Sequence, residues 1–132
     1  MDKLTLTLPG NPVTKKNSQR ILKNSKTGAA FVAPSSNYIY YRNCSIIHIK
    51  RLMRGYTMQP LSVPVNVCVL YYMDTRRRVD LVNLQEASLD ILVDAGILAD
   101  DNSSIVASMD GSRVLYDKDN PRAEISITRA EV

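Results

Sequence analysis

Residues 63–73, VPVNVCVLYYM, are dominated by β-branched and aromatic side chains. Such a run fits a pleated, buried surface and reads as a central strand, with Pro64 tolerated at its start. What flanks it sets the fold class. Residues 3–8 alternate Leu4, Leu6 and Leu8 with Thr5 and Thr7, the pattern of a half-buried strand. Pro9-Gly10-Asn11-Pro12 ends that strand. Residues 10–34 are polar and basic without a clear period and read as a long loop, which in a compact domain is more often functional than idle. From Ser35 or Ser36, either of which can cap a helix, to about Arg54 there is neither Pro nor Gly, and Gly55 follows. Tyr40, Cys44 and Ile47 fall at helical spacing there, widened by Ile46, Ile49 and Met53.

A second helix follows the central strand. Asn83 is its candidate N-cap, and Glu86 stands three residues on, the capping-box spacing. Leu84, Ser88, Ile91, Leu92 and Ala95 cover one face, and Gly96 suits the position after the C-cap. Residues 104–109, 112–116 and 122–128 read as strands, with turns at Asp110-Gly111 and at 117–121. The expected order is β-loop-α-β-α-β-β. The class is α+β with α/β-like strand–helix–strand units, a mixed β-sheet packed by two helices in a single domain over 1–132. No apolar run is long enough to span a bilayer, and no signal-peptide core opens the chain. Cys44 and Cys68 form no CxxC pair and His48 is the one histidine, so a Cys/His zinc site is excluded. Both thiols read as small core hydrophobes of a protein in a reducing cytoplasm.

The charges are unevenly placed. Residues 1–60 carry ten Lys and Arg against one acid, and residues 61–132 carry seven against twelve. The basic loop holds Lys15, Lys16, Arg20, Lys23 and Lys26, and Arg76, Arg77 and Arg78 stand just before Asp80. Within the second helix Glu86, Asp90 and Asp94 recur every four residues, and Asp100 and Asp101 follow the helix. Like charges at that spacing destabilise a helix by roughly 0.2–0.5 kcal/mol per pair, so the stripe is a solvated face or awaits a cation. Carboxylates without Cys or His suit Mg²⁺ or Mn²⁺. Beside Lys and Arg that hold phosphate, such an ion serves phosphodiester hydrolysis. A helix of about twelve residues would separate Asp80 from Asp101 by about 18 Å. A loop from Gly96 folding back would close that gap, and the two are expected to reach one cation.

The string RRRVDLVNLQEASLD at 76–90 with GILADD at 96–101 resembles the RusA family of Holliday junction resolvases. That family has a basic run, an Asp, a second Asp two residues on, an Asn, a Lys in the first helical turn, and an Asp pair after the helix. The N-terminal strand, the basic loop with Pro12-Val13-Thr14-Lys15-Lys16 and the closing strands fit the same layout over almost the whole chain. The resemblance implies a small homodimer, phage or bacterial, that binds four-way DNA junctions and cuts paired strands with Mg²⁺ or Mn²⁺ in recombination and repair. It assigns Asp80 and Asp101 as catalytic metal ligands and Asn83 as the residue opening the helix, with Asp100 as a supporting or alternative ligand. Lys15, Lys16, Arg20 and Arg76 to Arg78 would contact DNA. Val82 stands where the family has its second Asp and Glu86 where it has the Lys, so Glu86 is expected to take over the missing catalytic and metal-binding carboxylate. Otherwise Glu86 serves the capping box alone, Val82 packs against Ala87, and the protein binds junctions without cutting them. A third reading is a protein-interaction module using the acidic stripe.

Overall fold

The computed structural model describes residues 3–15, 20–33 and 35–131. Among them the chain forms β1 (Lys3–Pro9), β2 (Arg20–Lys23), β3 (Ala30–Ala33), α1 (Ser36–Leu52), β4 (Val65–Met73), α2 (Leu81–Asp94), β5 (Val106–Ser108), β6 (Arg113–Tyr116) and β7 (Arg122–Arg129). The main sheet is mixed, ordered β1-β7-β4 with β5 and β6 on the far edge of β4. It carries the mixed α+β architecture expected from the sequence.

β4 organises the sheet. It pairs antiparallel with β7 along nearly its whole length, and parallel with β5 at Val65 and β6 at Leu70–Met73. Val65, Val67, Val69, Tyr71 and Met73 point into the core, whereas Asn66, Cys68, Leu70 and Tyr72 face the other side half-buried. The register continues the apolar rows across the sheet, Leu6 opposite Ile125 and Ile125 opposite Val69. Leu84, Ile91 and Leu92 of α2 and Ile49 of α1 join the same core.

β5 and β6 act as one edge strand with a notch. The Asn66 side chain fills the notch, accepting from Asp110 N at 2.8 Å and donating to Asp110 O at 3.2 Å. Gly111 has φ +88°, and a Cβ there would lie 3.1 Å from Cys68 Sγ, so both backbone conformation and space call for glycine.

Four expectations need correction. The 10–34 segment is not all loop, because β2 and β3 pair antiparallel as a separate ribbon. Its turn is closed by Asn24, whose Oδ1 accepts from Lys26 N and Thr27 N, and by Gly28 at φ +72°. With no buried face, these strands leave no alternation to read.

On α1 the Tyr40-Cys44-Ile47 stripe faces solvent. Tyr38, Ser45 and Ile49 are buried instead, with Tyr41, Ile46 and Met53 half-buried beside them. Both stripes have helical spacing, but one partly polar face meets the sheet because Ser45 gives Tyr41 a hydrogen-bonding partner there. Cys44 is therefore exposed, and Cys68, on the outer face of β4, is only half-buried, so neither thiol is a fully buried core residue. The last correction concerns the start of α2. Asp80, not Asn83, is its N-cap, with Oδ1 accepting from Val82 N at 3.0 Å, while Asn83 lies in the first turn. No breaker separates Asp80 from Asn83, and starting early lets Leu81 pack against the core. The capping box from Asn83 to Glu86, and the staple it gave Val82, therefore do not form, and Val82 is exposed.

One buried polar contact ties β4 to α2, the 2.8 Å hydrogen bond between Tyr71 OH and Ser88 Oγ. Tyr71→Phe strands the Ser88 hydroxyl in the core and is expected to cost about 1–3 kcal/mol in urea denaturation. The double variant Tyr71→Phe/Ser88→Ala, with both polar groups gone, should recover part of that loss.

Candidate nucleic-acid interface and carboxylate site

The segment Asp74–Val79 leaves the carboxyl end of β4 and leads directly into the Asp80 cap. In open α/β sheets that end of the strands is where ligands bind. Asn11 braces the turn, its Oδ1 accepting from Asp74 N at 2.9 Å. Arg77 and Arg78 line a cleft of about 420 Å³ there, shared with Asn11, Thr14 and Asn37. Arg76 turns the other way and stacks over the Tyr116 ring at 4.1 Å, a cation–π contact that holds it at the sheet edge. All three arginines are exposed. Neither Asn11 nor Tyr116 was legible as a supporting residue, because each acts through a contact across many residues of sequence.

The acidic stripe of α2 meets cations of its own chain. Lys15 Nζ lies 3.2 Å from Asp90 Oδ2, and Arg42 of α1 donates to Asp94 Oδ2 through Nε at 3.1 Å and through one terminal nitrogen at 2.8 Å. Half-exposed pairs of this kind contribute about 0–1 kcal/mol each. They relieve the repulsion along the stripe. Burial, reinforced by Asp90, pushes the Tyr38 phenol beside them up to about 12. Lys15 is thus engaged with its own chain. Lys16 lies outside the described residues, and of Arg20 only the backbone, at the start of β2, is described.

Asp100 and Asp101 sit beyond the other end of α2. Residues 97 and 98 fold against its last turn through bonds to Leu92 O, and Leu98 bridges to Leu61. Asp100 accepts from Asp101 N at 2.7 Å and from Asn102 Nδ2 at 3.0 Å. The Asp101 N–H, then the Asn102 amide, hold the Asp100 carboxyl below its ordinary range. Both Asp100 oxygens thus serve the turn, while the Asp101 side chain is exposed.

The approach of Asp80 to Asp101 within one chain is therefore not found. The 14-residue α2 separates them by about 21 Å at 1.5 Å per residue, and the chain after Gly96 runs to Leu61 instead of turning back. Glu86 is exposed on the outer face of α2, nearer the Asp80 end. Among the described residues no three Asp, Glu, His or Cys side chains gather to hold a metal ion.

The chain that carries this arginine-rich turn and acidic helix cap matches a known family. The family model described as endodeoxyribonuclease RusA matches residues 9–128, and the chain belongs to that family of DNA-cleaving enzymes. A relative from Enterobacteria phage 82, the crossover junction endodeoxyribonuclease rusA, is 36% identical over 80 residues, covering 52% of this chain and 67% of that protein. Among the described residues no helix is long and apolar enough to cross a membrane.

The cap and the carboxylate chemistry of Asp80 are separable. Asp80→Ala removes the acceptor for Val82 N and should destabilise the fold by about 1 kcal/mol, whereas Asp80→Asn, an equally good cap, should stay within about 0.5 kcal/mol of the parent in urea denaturation.

Proposed function

We propose that this enzyme is a Mg²⁺- or Mn²⁺-dependent endonuclease that cuts four-way DNA junctions as a two-fold homodimer, serving recombination and repair in the cytoplasm of a bacterial or phage-infected cell. The observation that carries the reading is the placement of Arg76, Arg77 and Arg78 immediately before the Asp80 cap at the carboxyl end of β4, in a chain of the RusA family. The name of the phage relative supplies the junction.

A hard divalent ion takes six or more oxygen ligands, and among the described residues neither end of α2 alone offers a sufficient set of side chains. Two copies related by a two-fold axis, with their α2 helices antiparallel, would set Asp80 of one beside Asp101 of the partner subunit at each end. Such a pair of ends fits the ion: exposed carboxylates, oxygen donors only, and no competing lysine on α2. Asp80 and Asp101 would hold it, with Glu86 replacing the carboxylate that Val82 lacks, and Asp100 would fix the turn that presents Asp101. A bound ion supplies an activated water and a counter-charge for the leaving oxygen. The chain's own contribution is to orient the scissile phosphate through Arg77 and Arg78, with Arg76 held at the rim by Tyr116. Lys15, Lys16 and Arg20 extend the basic surface along the flanking duplex, Lys15 exchanging Asp90 for phosphate.

Mixed dimers test both the site and its division. Asp80→Asn and Asp101→Asn homodimers should each bind junctions and fail to cut. A heterodimer of the two would regain one intact site and nick one strand in the presence of Mg²⁺. A heterodimer as inert as the homodimers would place each site within a single chain and overturn the divided arrangement. Glu86→Gln should keep the parent's stability and lose most of the cutting; undiminished cutting would remove Glu86 from the ion.

A further inference from the structure

Among the described residues the β2–β3 ribbon pairs only with itself. Its register sets Ile21 opposite Val32 on one face and Leu22 opposite Phe31 on the other. These side chains are 76%, 61%, 37% and 47% exposed, so the ribbon is apolar on both faces and covered on neither. A two-stranded ribbon is marginal on its own in water, and exposed apolar area forgoes about 25 cal/mol per Å², so such a ribbon is stabilised by what it binds. Its charge limits the partner. Lys23 ends β2 and Lys26 lies on the turn, and from Lys3 to Met73 the chain contains no Asp or Glu. A polyanion that also offers flat apolar surface is nucleic acid with its bases accessible. Along a continuous duplex the base faces are closed by stacking; at a branch point the stack is interrupted and the faces open.

We propose that the β2–β3 ribbon is a wedge for the branch point. Phe31 with Leu22 on one face, and Ile21 with Val32 on the other, lie against bases freed at the crossover, while Lys23 and Lys26 hold the flanking phosphates. The ribbon reads structure rather than sequence, since every base has an apolar face. This inference rests on the junction substrate proposed above.

The test is equilibrium binding by the protein, with Ca²⁺ in place of Mg²⁺, to a four-way junction carrying 2-aminopurine at the branch point and to a linear duplex. The parent should prefer the junction and brighten the 2-aminopurine. Phe31→Ala should abolish the brightening and reduce junction affinity about tenfold or more, leaving duplex affinity within about threefold. Phe31→Trp should restore both. Lys23→Ala/Lys26→Ala should weaken both substrates and lower the salt slope by about two units. Unchanged brightening and preference in Phe31→Ala would overturn the wedge. So would dissociation of the Phe31→Ala protein into monomers by sedimentation, which would make the ribbon a contact between copies. A parent without junction preference would instead defeat the junction reading, and the wedge with it.

Discussion

A parallel neighbour cannot be reached by a hairpin; the chain must first travel back the length of the sheet. β4 has such neighbours in β5 and β6, and α2 is the return path. Much else follows from that crossover. It buries α2 against the face of β4 that presents Val67, Val69 and Tyr71. It fixes the start of α2 at the carboxyl end of β4, beside the arginines, and delivers the chain after α2 to the opposite end. The distance between Asp80 and the Asp100-Asp101 turn is therefore a property of the topology. No rotamer change could abolish it.

The charges are arranged around the same helix. Lys15 and Arg42 meet Asp90 and Asp94 from the N-terminal segment and from α1, so the middle of the acidic stripe is balanced locally. Among the described residues Asp80 has no such cation; its carboxylate accepts from the Val82 N–H. The positive end of the helix dipole and the three arginines leave that end electropositive, suited to a phosphate as well as to the carboxylate of the cap.

The sheet was largely legible in the sequence because β1, β4 and β7 each bury one face, and burial leaves alternation behind. The ribbon was not, because nothing covers it and its apolar pairs follow no single face. The inward face of α1 was misread because hydrophobicity favoured Tyr40 and Ile47, while the buried side took Tyr38, Tyr41 and Ser45, with the Ser45 hydroxyl partnering Tyr41. At α2, Asn83 and Asp80 are equal as caps by residue type, and the choice was made by tertiary packing of Leu81. Of the candidate site, the residue types were legible, acids beside arginines. The separation of Asp80 from Asp101 by the length of α2 was not, since a distance along an axis of about 21 Å becomes final only when the segment after Gly96 commits to Leu61.

The two thiols divide by topology as well. Cys44 lies on the outward face of α1, open to any electrophile, whereas Cys68 Sγ lies under the Gly111 notch on β4. Cys68 is half-buried beneath Gly111, so its alkylation should lag behind that of the exposed Cys44. The chain thus carries a fast and a slow clock, and the ratio of their reaction rates reports how closely Gly111 covers that face of β4.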